Sequence, residues 1–100
     1  MNNEEELQIF DTAARMLRSV AHPARIALIK LLIQEKELSV NELTARLGIS
    51  QSMTSQHLAS LRNAGVVDNR KEGNVCTYFI KNRNVLKLLD CVEHCAQKGA

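Results

Sequence analysis

Four side chains that both donate and accept hydrogen bonds, Gln51, Ser52, Ser55 and Gln56, fall at i, i+1, i+4 and i+5. In a helix that spacing puts them on one face. Thr54, Leu58 and Leu61 fall at i, i+4 and i+7 on the opposite face, which makes that side the buried one. The outer side is then polar but almost uncharged, whereas a merely solvated face more often carries Lys and Glu. Short amide and hydroxyl side chains can reach base edges in a DNA major groove, where Gln pairs bidentately with adenine. Ser50 at the start of this helix joins the candidate set, and Ser60 and Arg62 are further candidates for backbone contacts. Downstream, Arg70 and Lys71 with Asn74 across a turn form a basic tip suited to phosphate or to a minor groove. Taken singly, each feature also fits a plain solvated surface; in tandem and in this order they point to a nucleic-acid interface.

A second cluster is Cys91, His94 and Cys95. The thiols are i, i+4 and His94 is i+3 from Cys91, so the three could converge on one metal ion. The competing reading packs Cys95 with Val92 in a dimer seam and leaves Glu93 and His94 solvated, and thiol oxidation is a third. A disulfide within one helix would restrain little, so redox switching would involve a partner chain or Cys76. Cys76 itself falls in a β-prone segment, where a small buried role is the default. No cofactor is otherwise implied. His57 shares the side of Leu61 and reads as a packed, hydrogen-bonded histidine, while His22 before Pro23 reads as the start of a helix. No nucleophile–base pair, phosphate loop or carboxylate pair stands out, so the chain does not read as an enzyme.

These residues need elements to hold them. Phe10, Ala13, Ala14, Leu17 and Val20 recur at helical spacing, giving helix 1 over residues 7 to 20 after a frayed acidic lead. Pro23 opens helix 2, which runs to about residue 33 and is apolar around much of its circumference, hence central. Ser39 and Glu42 form a capping box for helix 3 over residues 40 to 47, and Gly48 suits the turn that follows. Helix 4 begins at Ser50 and ends before Gly65. Residues 66 to 70 and 75 to 80 are β-prone, with residues 71 to 74 as a hairpin turn. Val85, Leu88, Leu89, Val92 and Ala96 mark helix 5. The expected fold is mainly α with a small β-hairpin: a winged helix-turn-helix of five helices plus a two-stranded wing.

One hundred residues suit one domain spanning 1–100, small enough to gain from dimerisation. The net charge of +2 is uneven: residues 1–50 hold six Lys/Arg against seven Asp/Glu, and residues 51–100 hold seven against four. A basic second half is compatible with a nucleic-acid face. No signal peptide, lipidation motif or membrane span is visible, and three cysteines do not make a disulfide framework, which points to the cytoplasm.

The run from Leu47 to Val67, LGISQSMTSQHLASLRNAGVV, resembles the helix-turn-helix of the ArsR/SmtB family. Leu17 to Ile26, LRSVAHPARI, resembles that family's junction between helices 1 and 2. The resemblance spans about residues 10 to 97. It implies a homodimer formed through helices 1 and 5, bound to an imperfect palindrome in double-stranded operator DNA, with no membrane partner. It further implies a repressor released by an inducer. Metal-sensing relatives use two thiolates in a Glu-Leu-Cys-Val-Cys-Asp-Leu pattern, where this chain has Ser39 and Asn41. Others place ligands at positions that are here Asn82, Asn84, Cys95 and Lys98, of which only Cys95 could be a strong ligand while Lys98 is hostile to a cation. The rival from another class, a winged-helix protein-interaction module, requires an apolar patch where helix 4 is polar.

Overall fold

The computed structural model describes residues 2–99. In chain order the elements are α1 (Asn3–Val20), α2 (Pro23–Glu35), β1 (Glu37–Ser39), α3 (Val40–Leu47), α4 (Gln51–Asn63), β2 (Val67–Glu72), β3 (Val75–Ile80) and α5 (Val85–Gln97). Helix boundaries follow local chemistry. The Asn2 side chain accepts from the Glu5 backbone N–H at 2.8 Å, and Glu4, Glu5 and Glu6 lie against the positive end of the α1 dipole. The acidic segment expected to fray is therefore the first turn of the helix. His22 Nδ1 caps α2 by accepting from the Ala24 N–H at 3.1 Å, just ahead of Pro23. The Ser39–Glu42 capping box is present in both directions, and Gly48 closes α3 at φ 69°. Only glycine adopts that left-handed conformation without strain.

The two-stranded wing expected from sequence is part of a three-stranded antiparallel sheet in the order β1-β3-β2. The extra strand is β1, with Leu38 opposite Tyr78 and Ser39 opposite Thr77. The chain turns from α2 into it at Lys36, a non-glycine residue at φ 73°. β2 also continues through Lys71 and Glu72, so the wing turn contains only Gly73 and Asn74.

The core is aliphatic. Leu28, Ile29 and Leu32 of α2 are sealed from solvent between Leu43 of α3, Leu58 and Leu61 of α4, and Val66, Val67 and Leu89. As expected for a helix apolar nearly all round, α2 is central, although Ile26, Leu31 and Ile33 stay only partly covered. α1 is different. Only Ser19 and Val20 at its end are buried, while Leu7, Phe10 and Leu17 are 65%, 61% and 51% exposed. Between α1 and α5 lies an apolar cavity of about 280 Å³, lined by Ala13, Met16, Leu17, Val85 and Leu88 among others.

Candidate nucleic-acid interface

α3 and α4 form the helix-turn-helix, and the amphipathic division read from α4 is the one observed. Thr54, Leu58 and Leu61 are fully buried; Gln51, Ser52, Ser55 and Gln56 are all exposed. Thr54 tolerates its apolar surroundings because its hydroxyl donates to the Ser50 carbonyl at 3.0 Å. Ser50 has a structural task in addition: its Oγ accepts from the Met53 N–H at 3.1 Å and caps α4. The sequence pattern does not single out Met53. It is 47% exposed at the start of α4, and the only sequence signal was an apolar residue outside the buried stripe.

Ser60 and Arg62 are already engaged by the protein. Ser60 Oγ accepts from Arg25 Nη2 at 3.2 Å, which turns it toward α1 and α2. Arg62 Nε donates to Asp68 at 3.2 Å, joining the end of α4 to β2. In the wing, Arg70 Nη2 reaches Glu37 at 2.7 Å and its Nε reaches Glu72 at 2.8 Å, so this guanidinium ties β2 to β1 across β3. The Arg70 hydrogen bond holds the Glu37 carboxyl below its usual range, and the two carboxylates raise Arg70 in turn. Lys71 and Asn74 are exposed, and Lys71 has no ion-pair partner among the described residues.

His57 is packed and hydrogen-bonded as its spacing suggests, in a polar network behind α4 whose other members the sequence does not disclose. Buried His57 accepts at Nδ1 from Arg25 Nε at 3.1 Å, and its ring centre lies 4.7 Å from that of His22. This assigns the proton of neutral His57 to Nε2, which has no hydrogen-bond partner. Burial, then the charges of His22 and Arg25, hold the imidazole below its ordinary value of 6.5. The unfolded chain therefore takes up this proton at higher pH than the folded one. The resulting stability is complete above about pH 6.5 and is lost as the pH falls through the lower folded value. Denaturant midpoints should fall between pH 7 and pH 5 in the wild type, and this component of the fall should disappear in His57→Leu. An unchanged pH profile in that variant would remove His57 as its source.

Cys91, His94 and Cys95 are all exposed on α5. Among the described residues no three His, Cys, Asp or Glu side chains gather closely enough to hold a metal. Glu93, expected in solvent, instead receives Lys30 Nζ at 2.9 Å and links α5 to α2. Asn82 Oδ1 accepts from the Asn84 N–H at 3.0 Å and shapes the approach to α5.

The model of bacterial regulatory proteins of the arsR family matches residues 22–69, the span from the start of α2 into the wing. The transcriptional activator HlyU of Vibrio cholerae is 37% identical over 90 residues, covering 90% of this chain and 82% of HlyU. The chain belongs to the ArsR family. The transcriptional repressor SmtB of Mycobacterium tuberculosis is 35% identical over 91 residues, or 90% of this chain and 67% of that protein. The structure is also similar to a homodimeric winged helix-turn-helix DNA-binding domain from Mycobacterium bovis, with a TM-score of 0.86 and 26% identity. That match covers 97% of this chain and 89% of the other. The relatives of this ArsR-family chain thus include both an activator and a repressor. No helix among the described residues is long and apolar enough to cross a membrane.

Proposed function

We propose that this ArsR-family protein is a homodimeric, cytoplasmic transcriptional repressor that occupies a palindromic operator and leaves it when an inducer binds. The observation that carries the reading is the outer face of α4, where four exposed hydrogen-bonding side chains sit on a helix anchored by three fully buried residues. Gln51, Ser52, Ser55 and Gln56 read bases in the major groove. Lys71 and Asn74 approach the DNA backbone from the wing, and Arg70 braces the wing through its two carboxylates. Ser50 and Arg62 support the interface by capping α4 and tying it to β2. A protein-interaction module would display apolar surface on α4; this face is polar.

Selection of bound duplexes from a random pool, followed by binding measurements on the selected site, tests the proposal. Gln56→Ala should cost about 1–3 kcal/mol for each base pair it reads, with little loss on unrelated DNA. Equal losses on both kinds of DNA would strip Gln56 of its base-reading role. In the same assay Lys71→Ala should lower the salt slope by about 1 per wing. Arg70→Ala should lower it less, because Glu37 and Glu72 already offset that charge. The reverse order would make Arg70 the principal wing contact.

A further inference from the structure

On the side of α4 next to the proposed base-reading face, α1, α2 and α4 enclose an open cleft of about 450 Å³. Thr12, Arg15 and Arg18 of α1, Arg25 of α2, and Ser60 and Asn63 of α4 line it, and no Asp or Glu does. Arg25 forms a fixed floor. Its Nε is held by His57, its Nη1 by the Ser19 carbonyl at 3.2 Å and its Nη2 by Ser60, and its remaining N–H groups are unused by these three bonds. Arg18 is exposed and has no ion-pair partner among the described residues. Arg15 has only an exposed contact with Asp11 at 3.7 Å, a separation that leaves its charge largely available.

We infer that this cleft binds a phosphate group. Three guanidinium groups around hydroxyl and amide donors match the charge and the hydrogen-bond demand of phosphate oxygens, and arginine forks suit those oxygens geometrically. The cleft is also continuous with the proposed interface. Gln56, Ser60 and Asn63 are i, i+4 and i+7, one stripe of α4 leading from a base-reading position into the cleft. The phosphate expected there is a backbone phosphate of the bound operator, an assignment that rests on the DNA-binding reading above. A free phosphate ester has the same chemistry and would enter the same site. Arg15 lies round α1 from exposed Phe10 and Leu17, while Arg18, at i+11 from Leu7, borders that apolar face.

Two measurements on the full dimer separate the sources. The first is the salt dependence of operator binding for the wild type, Arg18→Ala and Arg15→Ala, with Lys87→Ala on α5 as a charge-matched control. A backbone contact lowers the salt slope by about 1 per protomer in the cleft variants while the control retains it. The second is thermal unfolding without DNA in inorganic phosphate against chloride at equal ionic strength. A free-phosphate site raises the midpoint of the wild type and not that of Arg18→Ala. Either result supports the cleft as a phosphate site and names the source. If neither appears, if Lys87→Ala lowers the slope equally, or if Arg18→Ala weakens the dimer instead, the inference is overturned. Should the wild type select no DNA at all, the proposed function fails while the phosphate measurement still decides the cleft.

Discussion

Replacing Phe10 and Leu17 together by glutamate should give a folded monomer that binds its operator roughly 10²–10⁴-fold more weakly. Little of the single chain holds α1 in place. Its 18 residues bury only Ser19 and Val20, and its middle and start have little of the chain's own body to pack against. Helices owe most of their stability in proteins to packing of an apolar face. Leu7, Phe10 and Leu17 supply such a face, exposed in the single chain, and the cavity between α1 and α5 opens beside Leu17. A second copy covering α1 and α5 satisfies both features, with exposed Val92 of α5 adding to the surface.

The size of the effect follows from the same surface. Phe10 and Leu17 are 61% and 51% exposed in the single chain, so covering them contributes about 1–2 kcal/mol per side chain, and four buried carboxylates in their place leave no stable seam. A monomer then meets one half-site at a time and loses the high effective concentration of the second reading helix. Sedimentation gives the oligomeric state, circular dichroism reports folding, and a binding titration gives the affinity. Gln8→Glu, which adds charge on the polar side of α1, should remain dimeric. A Phe10→Glu, Leu17→Glu variant that stays dimeric places the seam elsewhere.

The parts of this fold legible in the sequence are those whose ends carry their own chemistry. α3 begins and ends at the predicted residues because Ser39 and Glu42 cap one end and Gly48 the other. The buried stripe of α4 was equally plain, since Thr54, Leu58 and Leu61 repeat over two turns. β1 was not legible. Three residues give no alternation to detect, Ser39 already served as a cap, and pairing with Tyr78 is a long-range event. The sequence starts the wing turn too early for a related reason: Lys71 and Glu72 look like loop residues, yet ladder pairing to Cys76 and Val75 keeps them in β2. The Arg25–His57–Ser60 network joins residues more than 30 positions apart, and no local pattern announces it. Nor could spacing along α5 decide whether Cys91, His94 and Cys95 would meet.

Leu58→Ala is expected to destabilise the fold by about 2–5 kcal/mol, a large share of the roughly 5–15 kcal/mol that holds a domain folded. Leu58 has no solvent exposure, and it packs in the same cluster as Leu28, Ile29 and Leu61. Truncation leaves a cavity that the surrounding side chains close only in part. The loss should appear as a lower denaturant midpoint with an unchanged m-value, compared at equal protomer concentration since dimerisation adds to apparent stability. Operator affinity measured well below that midpoint should change little, because the outward side chains of α4 are untouched. Gln56→Ala should show the opposite pattern, with binding lost and stability kept. This contrast separates the side of α4 that holds the helix from the side that reads DNA. A loss below about 1 kcal/mol in Leu58→Ala would show that α4 is anchored by something other than this buried stripe.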